Sequence, residues 1–153
     1  QSVINLYMTF PMKNWLTLPR GYLFSQPTSY NKFHLGLDVI PKRTLLTVFS
    51  YLDLIAWQDL EVVHSFWGAE GGNTIFIKCK DNKRLFRCMH LAKKVLPGKF
   101  KEGSKVATIG NTGSLSKGVH LHIDISKDGI LNLINRSNFE NPELYFKMVN
   151  GVK

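Results

Sequence analysis

Apolar and polar positions alternate with a period of two along much of the chain, in runs that are short and rich in β-branched and aromatic residues. These runs predict strands at 33–39, 44–49, 60–66, 74–79, 84–90, 105–109 and 120–125. Turn residues fall between them at Gly71-Gly72, Asp81-Asn82, Gly98, Gly110 to Gly113 and Asp128-Gly129. Helical spacing is sparse, and only 92–95 and 142–149 carry it. The pattern predicts a mostly β protein, an antiparallel sheet forming a groove or sandwich with few short helices. The 153 residues suffice for one core, read here as a single domain over 1–153. Within it, 1–30 (with Pro11, Pro19, Gly21 and Pro27) is an irregular lead-in wrapping the sheet, 31–127 is the core, and 128–153 is a C-terminal extension.

Two of the alternating runs carry unusual chemistry on their polar side. In FHLGLDVI, positions 34, 36 and 38 share one face of a strand, while Leu35, Leu37 and Val39 face the core. The polar face then holds an imidazole and a carboxylate, with Gly36 expected to leave open space between them. GVHLHIDI repeats the logic: His120 and His122 share one face, and Leu121, Ile123 and Ile125 take the other. If His122 completes a set with His34 and Asp38, two imidazole nitrogens and one carboxylate oxygen meet, a catalytic zinc set with one position left for water. His90, in RCMHL, is a third element, whereas His64 in VVHSFW reads as an ordinary sheet histidine without a partner.

Composition narrows the setting. A 44% apolar and 20% charged balance is that of a folded domain, and no run reaches the roughly 18 to 20 apolar residues of a membrane span. The net charge of +9 favours polyanions, whether nucleic acid, acidic membranes or the anionic polymers of a bacterial wall. Nucleic acid is disfavoured, because the basic residues are scattered and no recognition motif accompanies them. Cys79 and Cys88 lie in runs joined by a turn at 81–83, which offsets them along the hairpin by about 10 Å, beyond disulfide reach. They are expected to be free thiols, as in a protein made without passage through an oxidising compartment. The chain opens on Gln1 without a secretory signal pattern, which suggests a mature or excised piece of a longer protein.

The motifs HLGLD (His34 to Asp38), MHL (Met89 to Leu91) and HLH (His120 to His122) resemble, in order and spacing, those of the lysostaphin-type M23 family of zinc metallopeptidases. The intervening GKFKEGSKVATIGNTGSLSKGVHLHID is similar to the family's strand, glycine turn and small-residue loop before the last motif. The resemblance runs from about Leu18 to Tyr145. It implies an antiparallel sheet groove in which His34, Asp38 and His122 hold Zn2+, while His90 and His120 move protons and steady the oxyanion. It implies an endopeptidase that cuts peptide cross-links of bacterial peptidoglycan with a metal-activated water, at the cell wall. Such a protein is either secreted or a component of a virion tail, where other virion proteins would be partners. Tyr30, Cys88 and Asn111 are the candidate substrate contacts. Cys88 stands where the family commonly has tyrosine, and by strand alternation it shares a face with His90.

The chain departs from the family after Asp38, where PKRTLLTVFSYLDLIAW replaces the usual run. It also carries Asp124 where a glutamate usually follows the last motif. An inactive M23-like wall-binding or regulatory module is the alternative, weighed against by the presence of all five His/Asp positions. A biotinyl-type carrier domain, suggested by VLPGKFKEGSKVATIG, leaves the histidines unexplained.

Overall fold

A computed structural model describes residues 9–43, 50–81 and 83–152. Among the described residues eight strands are present: β1 (Gly36–Val39), β2 (Asp53–Ile55), β3 (Leu60–Gly68), β4 (Gly72–Cys79), β5 (Leu85–Leu91), β6 (Gly98–Phe100), β7 (Lys105–Thr108) and β8 (Leu121–Ser126). Six form one antiparallel sheet in the order β1-β8-β5-β4-β3-β6, and β2 pairs with β7 in a second, two-stranded sheet. The fold is mostly antiparallel β, as the alternation requires. The strand expected at 44–49 lies outside the described residues.

Alternation divides the large sheet into two faces. One is apolar: Leu37, Val39, Val62, Ile75, Ile77, Phe86, Leu121, Ile123 and Ile125 are buried in a single core. The small sheet, Trp15, Trp57 and one helix close over this face, Trp57 packing on Phe86 and Phe146 at 5.0 and 5.1 Å. That helix, α1 (Pro142–Val149), begins where its sequence directs: Asn141 accepts a hydrogen bond from the Glu143 amide and Pro142 occupies the first turn. Arg20 forks onto Glu143 at 2.9 Å and so pins the lead-in to the helix.

The lead-in is more regular than its prolines suggest. It runs along the free edge of β1, with Gly21 N donating to Asp38 O, Asp38 N to Tyr22 O, and His34 N to Gln26 O. The edge strand is thereby capped. The helix expected at 92–95 does not form. Ala92 N bonds to Thr108 O and Leu91 bridges to Ile109, drawing the segment against β7, and Pro97 leaves too few residues for a helix. Gly98, read as a turn, opens β6 opposite Val62.

Candidate metal centre and cleft

The other face of the large sheet carries the polar residues. In the β1–β8 register Asp38 lies opposite His122 and Gly36 opposite Asp124, so paired side chains stand on the same face. Gly36 does not leave open space. A Cβ there would meet the carbonyl oxygen of Ile123 and the Cβ of Asp124, so the glycine lets β1 lie close against β8. His34, two residues before β1, is held by the lead-in and faces Asp38. Possible ligand atoms of His34, Asp38 and His122 all lie within 4.8 Å of one another.

Hydrogen bonds set which nitrogen of each ring is available. His34 Nδ1 donates to Leu23 O at 3.1 Å, leaving the buried Nε2 without a hydrogen-bond partner and 3.4 Å from Asp38 Oδ1. His122 Nε2 donates to Asp124 Oδ2 at 2.8 Å, so its Nδ1, 3.0 Å from Asp38 Oδ1, is the free position. Two acceptors at that distance require a proton or a cation between them. Burial by itself would lower the pKa of His122, but its bonds to and the charges of Asp124 and Asp38 outweigh that and raise it. Burial would raise Asp38, and the bonds and charges of His122 and His34 outweigh it, holding the carboxyl well below its usual range. An orphaned imidazole nitrogen, a second imidazole nitrogen turned towards the carboxylate, and an ionised carboxylate converging on one point fit a divalent metal.

Asp124 is fully buried and accepts from both Arg87 Nε (3.0 Å) and Arg87 Nη2 (2.6 Å) besides His122. The Arg87-Asp124-His122 chain orients the ring from behind. Alternation along 120, 122 and 124 would have placed Asp124 on this face. Arg87 carried no such signal.

His90 is reached by a break in that alternation. Its φ is +65°, and the β4–β5 register shifts beside it, between Asn73 and Ile75. Met89 pairs with His122 on the open face, and the left-handed residue then turns His90 to that face as well. Its ring lies 4.8 Å from that of His120 and 6.3 Å from that of His122. Cys88 therefore does not line the cleft. It sits in the core opposite Ile123 and Ile75, fully buried, and burial pushes its thiol pKa up. Cys79 is also buried and free, opposite Leu60 in the β3–β4 register.

His90 Nδ1 donates to Thr112 O at 2.7 Å and His120 Nδ1 to Gly118 O at 2.8 Å, leaving both Nε2 atoms as acceptors. Burial, together with the charges of His120 and His122, brings His90 down to about 4 against the pull of its Thr112 bond. His120 Nε2 stands 3.8 Å from Asp38 Oδ1. Beside them opens a cleft of about 560 Å³, with Tyr22 and Tyr30 on one wall and Leu115, Lys117 and Val119 on the other. Tyr30 lines it as expected, and Tyr22, tilted against His34 at 5.7 Å, had no motif to mark it. Asn111 braces the loop before His120: its Oδ1 accepts from Ser116 Oγ at 2.5 Å and from Gly118 N at 2.9 Å. His64 has partners after all, stacking on Phe66 at 5.1 Å beside Phe76.

The fold has relatives. The chain belongs to Peptidase family M23, whose sequence model matches residues 33–135, a span that includes His34, Asp38, His90, His120 and His122. No curated protein matches it in sequence. Among solved structures, the catalytic domain of lysostaphin from Staphylococcus simulans is similar with a TM-score of 0.69 and 23% identity, over 89% of this chain and 97% of that one. A variant of the catalytic domain of the prophage-encoded M23 protein EnpA from Enterococcus faecalis gives 0.59 and 23%, over 84% and 92%. A zinc-containing peptidase from Vibrio cholerae gives 0.58 and 21%, over 76% and 35%. At these identities the likeness is one of fold.

Proposed function

We propose that the protein is a zinc-dependent endopeptidase that hydrolyses peptide cross-links of bacterial peptidoglycan. The observation that carries this reading is the convergence of His34 Nε2, Asp38 Oδ1 and His122 Nδ1 beside an open cleft that Asp38 and His120 line. Those three residues would hold the zinc. When bound, it supplies a Lewis acid that polarises the scissile carbonyl and makes water a usable nucleophile near neutral pH. His90, neutral and with Nε2 free, accepts the proton released as water adds to the amide. His120 presents its Nε2 on the same side; once protonated there it would donate to the oxyanion, and the proton taken by His90 passes on to the leaving amine. The products are a carboxylate and an amine.

This reading places the protein at the cell wall, secreted or carried on a virion tail. Wall polymers and other virion proteins are its proposed partners. Among the described residues no helix is long and apolar enough to cross a membrane. The test is elemental analysis with a digest of purified peptidoglycan. About one zinc per chain is expected, lost in His122→Ala, with turnover abolished in His34→Ala and Asp38→Ala. Turnover that survives either of the latter two overturns the proposal.

A further inference from the structure

One cleft wall carries a charge that the proposed chemistry leaves unused. Lys117 lines the cleft beside His120 and forms no ion pair among the described residues, where each Lys or Arg ion pair belongs to another side chain. The only carboxylate in the cleft lining is Asp38, which belongs to the metal cluster. The lysine side chain is long, but its backbone is tightly placed. Ser116 on one side and Gly118 on the other both bond to Asn111 Oδ1, and the Gly118 carbonyl accepts from His120 Nδ1. The same loop is tied to the β3–β4 hairpin through Ser114 N to Ala69 O and Leu115 N to Glu70 O. One bracket thus sets both the orientation of His120 and the backbone position from which Lys117 lines the cleft. The opposite wall, with Tyr22 and Tyr30, contributes no charge at neutral pH.

We infer that Lys117 selects a cross-link with a free carboxylate beside the scissile amide, and that the substrate is the direct link between D-alanine and a diamino-dicarboxylic acid rather than a glycine bridge. The inference rests on the peptidase reading above and deepens it. A glycine bridge offers neutral amides on both sides of the bond, with nothing for an ammonium to pair with. The diamino-dicarboxylic acid keeps a carboxylate on the carbon whose amine is acylated, one residue from the reacting carbonyl. Lys117 is exposed at the cleft rim, and a charge there favours that partner through encounter and, modestly, through binding.

Three soluble cross-linked muropeptide dimers test this: the direct link with its carboxylate free, the same link with that carboxylate amidated, and a glycine-bridged dimer. kcat/KM is measured for zinc-loaded wild type, Lys117→Gln and Lys117→Glu, with zinc content checked in each. Wild type is expected to cut the free acid about three- to fivefold faster than the amide, the scale of a partly exposed ion pair, and faster than the glycine bridge. The free-acid to amide ratio should approach one in Lys117→Gln and fall below one in Lys117→Glu. Added salt should narrow the wild-type ratio. A wild-type ratio near one, a ratio that Lys117 does not change, or faster cutting of the glycine bridge overturns the inference. Failure of zinc-loaded wild type to cut any of the three dimers counts against the peptidase reading itself.

Discussion

Replacing Asp124 with asparagine removes one negative charge from behind the metal cluster while keeping the side chain's shape. In the native protein one oxygen, Oδ2, takes bonds from Arg87 at 2.6 and 3.0 Å and from His122 at 2.8 Å. The carboxyl is held ionised against its burial by Arg87 and His122. Two consequences follow, of different size. Losing the outer partner of a metal-binding histidine costs about 10- to 100-fold in metal affinity, or about 1.4–2.8 kcal/mol. Leaving Arg87, 13% exposed, without its counter-charge costs about 3–5 kcal/mol of folding stability. The stability loss should therefore exceed the affinity loss. The double variant Asp124→Asn with Arg87→Met separates them, since it removes the stranded charge but does not restore the anionic acceptor for His122. Zinc competition against a chromophoric chelator and urea unfolding are the two assays. The single variant should lose on both measures, and the double variant should regain stability while still binding zinc weakly. A folded Asp124→Asn protein that binds zinc within twofold of wild type would refute the role assigned to Asp124.

Three further outcomes follow from other parts of the structure. Gly36→Ala drives a Cβ against the Ile123 carbonyl, where backbone cannot yield cheaply; about 1–3 kcal/mol of stability should be lost in urea unfolding, and zinc affinity with it as β1 shifts. In the metal-free protein His90 stays neutral to about pH 4, whereas an unfolded histidine takes a proton near 6.5. The unfolded state then binds more protons in that window, so stability falls as pH drops through it, and His90→Gln should flatten the fall in unfolding experiments run across the interval. Both thiols are buried, and burial raises Cys79 to about 12 and Cys88 as well. Neither should react with a thiol reagent in the native state and both should in denaturant; native labelling of Cys88 would return it to the cleft.

The candidate ligands were legible because each sits in an unbroken alternation. Positions 34 and 38 on one segment and 120 and 122 on another need only the pleat to share a face, and the same pleat carries Asp124. The apolar reverse faces declared the core in the same way. What was not legible depends on partners distant in sequence. β2 and β6, three residues each, exist because Thr108 and Val62 lie opposite them. Residues 92–95 have helical spacing that pairing with β7 overrides. The error at Cys88 has a single cause: a non-glycine residue at positive φ inverts the order of faces, and nothing in RCMHL announces it. Gly36 was placed on the correct face but for the wrong reason, because closeness of two backbones leaves the same sequence trace as an empty space.

The backbone at His90 also has an evolutionary consequence. A left-handed conformation costs a β-carbon-bearing residue about 1 kcal/mol or more relative to glycine, so the backbone at position 90 works against the residue it carries. The bond to Thr112 O offsets part of that strain, and on the proposed function selection for turnover would supply the rest. His90→Gly should accordingly cost less stability than emptying a buried histidine site elsewhere in the sheet, while losing activity. On the proposed function, the residue at that one position would separate sequences of this fold still under catalytic selection from those that keep only the scaffold.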